Sequence, residues 1–453
     1  MSTRRQGDLL VTGAAEIVTM AGGLRLGSTQ DEAGVIRAAD LGPLAVAVRA
    51  GVVVSTGSEA DVRAALRASG IDPQAWLTLD AAGGTVTPGL IDAHTHLVFG
   101  GTREGELALR QSGAAYLDIL AGGGGILSTV DATRAASEDD LLVHGRRWAG
   151  EMLAHGVTTA EAKSGYGLDV ETELRILAVY GRLAEEGPLE VVPTFLGAHA
   201  VPRDLREQPD GAERYVNDVV ERQLPSVAEQ GIARACDVFC ERGVFSVAQS
   251  RRVLGAGRAL GLAPRLHADE VHDSGGAVLA AEVGATSADH LAAISEAGIE
   301  ALGRAADDGR PVAATLLPAT TLYLMSRHFA PARALIDRGV PVALGSDFNP
   351  GTSPTPNLTL AMALARIELR MTPAEVLAAA TINAAHAVGL GESHGAIEPG
   401  RAGDLVLWDV PRHELITYWL GADLVRAVIK RGEVVHPGPM AGATRPGSPP
   451  GGR

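Results

Sequence analysis

The chain has 453 residues, 46% of them hydrophobic and 21% charged, the mix of a folded protein with a sizeable core. Its 39 basic against 54 acidic side chains leave a net charge of −15, which argues against nucleic acid or an anionic membrane surface as a partner. No stretch is apolar for long enough to cross a bilayer, and the opening M-S-T-R-R-Q-G-D lacks the apolar core of a signal peptide, so the expected location is the cytoplasm.

Residues 1–86 read as short β segments, such as L-A-V-A-V-R-A-G-V-V-V from Leu44 to Val54. The pattern changes near Thr87. An apolar run ends in P-G-L-I-D-A-H-T-H, Pro88 to His96, and a local unit then repeats: a helix-like stretch, a glycine, a short apolar run. The glycines are Gly156, Gly187, Gly231, Gly261, Gly284, Gly309 and Gly339, each where a helix would end in the left-handed conformation that glycine adopts without a Cβ clash. The runs that follow them have the look of buried parallel strands, apolar on both faces.

With the run ending at His96 there are eight such strands, which predicts an α/β fold, a (β/α)8 TIM-like barrel within residues 87–394. An open doubly wound sheet is the alternative. Position favours the barrel: His94, His96, Lys163, His199, Glu241, His267, His290 and Asp347 all fall at C-terminal strand ends, where barrels build active sites, whereas an open sheet gathers groups from a few strands at its switch point. Residues 395–436 return to short β segments, as in D-L-V-L-W-D from Asp404. Neither end can make a good core alone, so both are expected to form one small β-sandwich. Residues 437–453, rich in Pro and Gly, read as a disordered tail.

Extended chain sends residues i and i+2 to one face, so His94 and His96 aim two imidazoles at one point. His267, in H-A-D-E, and Asp347, in G-S-D-F-N-P-G, complete a set of three nitrogens and one carboxylate that suits Zn2+ or Fe2+, one divalent metal per chain. Such a metal acidifies a water and polarises a carbonyl. Glu270, three residues past His267, is placed as a proton shuttle, and His290 could hydrogen-bond the developing oxyanion or the attacking water. Of the remaining histidines, His272 and His328 sit on loops at the active face, while His144, His155, His386, His394, His413 and His436 are read as structural. Cys236 and Cys240 are the only cysteines. Four strand residues put their Cα atoms roughly 13 Å apart, too far for a disulfide, and both read as buried thiols of a reducing compartment.

These strings, with G-A-I-E-P-G-R-A-G-D-L-V-L from Gly395, resemble the amidohydrolase superfamily. H-T-H-L-V-F-G-G-T-R-E, G-G-G-G-I, K-S-G-Y-G-L, T-F-L-G-A-H-A-V-P, D-V-F-C-E and L-G-S-D-F-N-P-G-T resemble, in order, the imidazolonepropionase family within it. The resemblance covers the chain except its terminal tail. It implies hydrolytic ring opening of 4-imidazolone-5-propanoate to N-formimidoyl-L-glutamate, and a homodimer. It also implies metal ligands His94, His96, His267 and Asp347, and substrate contacts from Arg103, Tyr166, His199, Glu270 and Thr352. Tyr166, Asn349 and Gly351 would contact the product, and Tyr116 would line the same pocket. Lys163 would be structural or on the substrate side, since no carboxylated-lysine bridge is expected. Gly105 and Leu107 depart from the pattern, which bears on pocket packing.

Residue chemistry agrees. A propionate suits the planar fork of Arg103, although an ion pair with Glu104 or Glu106 could account for that arginine. The competing functions are a related cyclic-amide hydrolase or aminohydrolase, which Arg103 and N-P-G-T speak against, and a catalytically dead barrel kept as a scaffold, which the intact ligand set and Glu270 speak against.

Overall fold

The computed structural model describes residues 8–113 and 124–438. Eight strands make one parallel sheet in unbroken chain order: β1 Leu90–Asp92, β2 Val157–Lys163, β3 Glu190–Ala198, β4 Ala235–Cys240, β5 Ala263–Ala268, β6 Ser287–His290, β7 Ala313–Leu316 and β8 Val342–Leu344. An open doubly wound sheet would reverse its order at a switch point; this one does not. The seam between β8 and β1 is stitched just beyond the strands. Asp347 N donates to His94 O at 2.9 Å, His96 N donates to Phe348 O at 2.9 Å, and Thr95 bridges Phe348 in parallel. The residues expected to carry the chemistry therefore also close the barrel.

The helices around it bury one stripe each. Val170–Glu186 is capped by Asp169, whose carboxylate accepts from Thr172 N at 2.8 Å, and it buries Ile176, Leu177, Tyr180 and Leu183. Each such side chain contributes about 1.5–3 kcal/mol through burial. Of the glycines at helix ends, Gly231 and Gly284 are left-handed as expected, whereas Gly187 is extended with φ −113°. There, one backbone bond from Gly187 N to Leu183 O ends the helix without the turn.

Two further sheets pack face to face. One holds Val52–Ser58, Leu44–Arg49, Leu9–Ala14 and Leu77–Asp80; the other holds Glu433–Pro437, Val425–Lys430, Leu405–Trp408, Thr85–Pro88, Glu16–Val18 and Val35–Arg37, each in that spatial order. Between them lies a core that includes Val11, Val46 and Val48 from the first sheet and Val86, Leu407 and Ile429 from the second. Strands from both chain ends are thus neighbours in one sheet. Two boundaries differ from the sequence reading. Thr87 and Pro88 pair with Val406 and Leu405, so they belong to this sheet and the barrel begins at Leu90. Pro437 pairs with Ala427 as the last strand residue, which an edge strand permits because its missing N–H is not needed there. Residues 439–453 and Tyr116 lie outside the described residues.

Candidate active site

At the C-terminal mouth of the barrel, buried polar atoms converge. His94 and His96 present Nε2 atoms 3.5 and 3.6 Å from Asp347 Oδ1. The ring of His267 packs against both, with centroids 4.6 Å from His94 and 5.6 Å from His96. The Nε2 atoms of His94 and His267 are buried without a hydrogen-bond partner among the described residues. Their Nδ1 atoms explain why: His94 Nδ1 donates to Asp289 Oδ2 at 2.6 Å and His267 Nδ1 to Asp237 Oδ1 at 3.1 Å, which fixes the tautomers and turns both Nε2 lone pairs inward. Asp347 is oriented in the same way, its Oδ2 accepting from Thr320 Oγ1 at 2.7 Å while Oδ1 faces the imidazoles. Leaving such atoms unmatched costs roughly 1–3 kcal/mol each, so this donor set fits a bound divalent cation.

Asp92, the acid of I-D-A-H-T-H, ties the two halves of the set together. Its Oδ1 accepts from Ser346 N at 2.9 Å and from His94 N at 3.4 Å. Burial raises its pKa to about 7 against those hydrogen bonds. His290 and Asp347 hold positive φ values of 75° and 51°. A non-glycine residue there stores about 1–3 kcal/mol, which persists only where surroundings over-determine the geometry.

Glu270 and His290 face each other, Oε2 to Nε2 at 3.7 Å. Burial, then the charge of Asp347, pushes Glu270 up to about 8. Its loop is knotted from both sides. Asp269 accepts from the backbone N–H groups of Ser274, Gly276 and Ala277, each at 2.9 Å. Glu241 accepts from Val271 N and from Ser274 Oγ, at 2.9 and 2.8 Å. Glu241, at a strand end, is therefore a loop anchor, and His272 belongs with it through Nδ1 at 3.2 Å. His328 is exposed and away from the site.

His96, Arg103, Tyr166, His199, Glu270, His290, Asp347, Asn349 and Thr352 line one cavity of about 30 Å3, closed further by Ile126 and Phe239. A hollow of about 260 Å3 shares Ile126, His199 and Phe239 with it and forms its approach. A larger crevice of about 760 Å3 lies at the other end of the barrel, beside Glu190 and Lys430, away from this chemistry. His199 stacks on His96 with centroids 5.0 Å apart and 14° between planes. Burial, then His267, lowers its pKa to about 3, so it is neutral.

Arg103 does meet Glu106: Nε to Oε1 at 3.0 Å and Nη2 to Oε2 at 2.8 Å, buried rather than on the surface. Glu106 also accepts from Arg110 Nη2 and from Gly125 N, so it ties the arginine to the glycine run. Gly351 packs against Arg103, where an added Cβ would collide with Nη1. Asn349 lines the cavity, but its amide organises the loop, with Oδ1 accepting from Gly351 N at 2.9 Å and Thr352 N at 2.7 Å. Leu107 lies instead in an apolar hollow with Tyr323 and Met325, and a Cβ added at Gly105 would meet nothing within 4 Å.

Asp237, Asp289, Glu161 and Arg265, which sequence reasoning passed over, form a buried charge network beneath the site. Lys163 Nζ lies 2.7 Å from Asp237, 2.9 Å from Glu161 and 3.3 Å from Asp289. Arg265 Nη2 approaches Asp289 Oδ2 at 3.4 Å. The available signal was a charged residue inside an otherwise apolar strand.

Residues 259–435 match the model of the amidohydrolase family. A protein named imidazolonepropionase from Geobacillus kaustophilus (strain HTA426) is 47% identical over 432 residues, 94% of this chain and 97% of that one. Another so named, from Alkaliphilus metalliredigens (strain QYMF), is 50% identical over 79% of this chain and 83% of its own. The chain belongs to the imidazolonepropionase family. Among solved structures, the zinc complex of atrazine chlorohydrolase TrzN from Arthrobacter aurescens TC1 shares the fold, with TM-score 0.69 and 16% identity over 95% of each chain.

Proposed function

We propose that this site opens the ring of 4-imidazolone-5-propanoate by hydrolysis, giving N-formimidoyl-L-glutamate, and that the residues described above carry the reaction. The family's activity, hydrolysis of a cyclic amide in histidine degradation, is this chain's activity. The observation that carries the reading is the convergence of inward-facing imidazole nitrogens on Asp347 Oδ1, beside a buried arginine.

His94, His96, His267 and Asp347 would hold one divalent metal, zinc or iron, and the nitrogen-rich donor set suits either. When bound, it supplies an acidified water and a Lewis acid for the ring carbonyl. Arg103, steadied by Glu106, binds the propionate of the substrate and fixes the ring in register. Tyr166, His199 and Thr352 form the walls, and Tyr116 is proposed to join them. In its ionised form, which a dication held by the neighbouring ligands would favour, Glu270 takes a proton from the attacking water as the water's oxygen bonds to the carbonyl carbon. It returns that proton to the ring nitrogen as the C–N bond breaks. His290, against Glu270, donates to the developing oxyanion. A homodimer in the cytoplasm is the proposed setting. Its support is the family resemblance, the absence among described helices of one long and apolar enough to cross a membrane, and two buried free thiols.

The test is loss of the substrate's ultraviolet absorbance on adding purified protein, with elemental analysis of the same sample. About one equivalent of metal and turnover are expected. Two equivalents, or turnover in a sample with none, would overturn the ligand assignment, and a metal-loaded protein that leaves the absorbance unchanged would overturn the substrate.

A further inference from the structure

We propose that Lys163 is a positioning residue for the metal ligands: one buried ammonium fixes the two carboxylates that aim His94 and His267. The inference rests on the ligand set proposed above.

Lys163 is fully buried at the C-terminal end of β2. An ammonium has three donors and no acceptor. Here three carboxylates surround it, Asp237 Oδ2 at 2.7 Å, Glu161 Oε1 at 2.9 Å and Asp289 Oδ2 at 3.3 Å. Two of the three do a second job. Asp237 uses Oδ1 on His267, accepting from both the ring Nδ1 and the backbone N–H, each at 3.1 Å. Asp289 uses the same Oδ2 on His94 Nδ1 at 2.6 Å. The ammonium therefore sits at the branch of two relays, Lys163–Asp237–His267 and Lys163–Asp289–His94. Each relay ends on a ring whose far nitrogen is buried without a partner among the described residues. The strands carrying the three parts, β2, β4 and β6, do not adjoin one another in the sheet. Only side chains crossing the barrel interior can set these rings relative to each other, and Lys163 is the group common to both.

Charge gives the same answer. Glu161, Asp237 and Asp289 face Lys163 and Arg265, three acids against two bases. Removing the lysine leaves three buried carboxylates against one guanidinium. A buried charge without compensation is costly, and carboxylates so placed relax toward other donors. Asp237 is bonded to the ring of His267 and Asp289 to the ring of His94, so when either carboxylate shifts its ring turns with it and the inward nitrogen leaves the set.

The readout is metal affinity of the folded protein, by competition with a chelator at a temperature well below unfolding, and the visible spectrum of the cobalt-loaded form. Lys163→Met should weaken affinity about tenfold to a hundredfold, the usual cost of losing an outer partner of a metal ligand, and should alter the cobalt spectrum. Lys163→Met with Asp237→Asn should lose less than the product of the two single losses, because both act through one relay. A purely structural lysine would lower the melting temperature but leave affinity and spectrum unchanged, and that result overturns the inference. If Lys163→Met does not fold, Asp237→Asn and Asp289→Asn decide: each should weaken affinity, and wild-type affinity in both overturns it. Failure of wild type to bind metal would instead overturn the ligand set.

Discussion

Two clusters of buried acids and imidazoles sit at opposite ends of the barrel, and by residue type alone both could hold a metal. At the mouth are His94, His96 and Asp347; at the base are Glu190, His394 and Asp404. The difference lies in what already fills them. At the base, Lys430 Nζ sits between the two carboxylates, 2.9 Å from Glu190 and 2.6 Å from Asp404. His394 is bonded at both nitrogens, to Ser393 Oγ at 2.7 Å and Glu190 Oε2 at 3.1 Å. The base thus carries its own cation and joins barrel to sandwich. At the mouth the nearest ammonium is spent behind the rings, and the inward nitrogens of His94 and His267 have no hydrogen-bond partner among the described residues. Ligand-type residues mark a functional site where their polar atoms are left unmatched, not where they are merely gathered.

The sharpest way to break this contrast is at the mouth. Glu270→Gln keeps the side chain's shape and removes the proton acceptor. It should keep its metal and lose about 10² to 10⁴ in kcat, measured under saturating substrate beside metal content. A near-wild-type kcat would hand the proton transfer to His290 or Asp347.

At the base the expected effect is on stability alone. Lys430→Met leaves the buried Asp404 and the half-buried Glu190 without their ammonium, at a cost of at most about 3–5 kcal/mol because His394 and Arg431 still face Glu190. Denaturant unfolding should show that loss, while kcat and metal content of the folded variant stay near wild type. A collapse of kcat in folded protein would mean the base is coupled to the chemistry.

Arg103→Ala should act between these in kind. A charge-assisted hydrogen bond is worth roughly 1.5–3 kcal/mol, so kcat/KM should fall about tenfold to a few hundredfold with metal retained. A substrate analogue without the propionate carboxylate sharpens the test. Wild type should strongly prefer the complete substrate, and the variant should lose most of that preference. Undiminished preference would end the carboxylate assignment.

The smallest effect is a pH slope. Burial works to raise the pKa of Glu190, but the His394 hydrogen bond and the Lys430 charge outweigh it and hold it well below the usual carboxylate range. A lowered folded-state pKa means stability that is full above the unfolded value of about 4.3 and is lost as pH falls towards the folded one. Melting temperatures of metal-free protein between pH 6 and 3 should therefore drop less steeply in Glu190→Gln than in wild type. Parallel curves would show that Glu190 contributes nothing to acid lability.

The periodic glycines and apolar runs made the eight strands legible, because parallel strands buried on both faces have a composition of their own. The metal set was legible because all four of its members fall at or just past the C-terminal ends of strands. The base cluster was not, since Glu190, Asp404 and Lys430 are ordinary charged residues until the fold brings barrel and sandwich together. Lys163 was visible, but its partners Asp237 and Asp289 were not, because spacing along a strand does not reveal contacts across a barrel. Arg103 illustrates a different limit. Its pairing with Glu106 and its place in the cavity were weighed as alternatives, and the structure has both.

Thr85 donates its hydroxyl proton to Val410 O, 325 positions along the chain. The strand it belongs to, Thr85–Pro88, has Leu405–Trp408 on one side and Glu16–Val18 on the other. On a ribosome, the first of these partners emerges only after the entire barrel has been made. Thr85–Pro88 must therefore wait with one edge unpaired, and edges of this kind invite wrong pairings. The six-stranded sheet is completed only by the last-made segment: a nascent chain released before Leu405 holds every strand of the four-stranded sheet and of the barrel but has nothing to set against that edge.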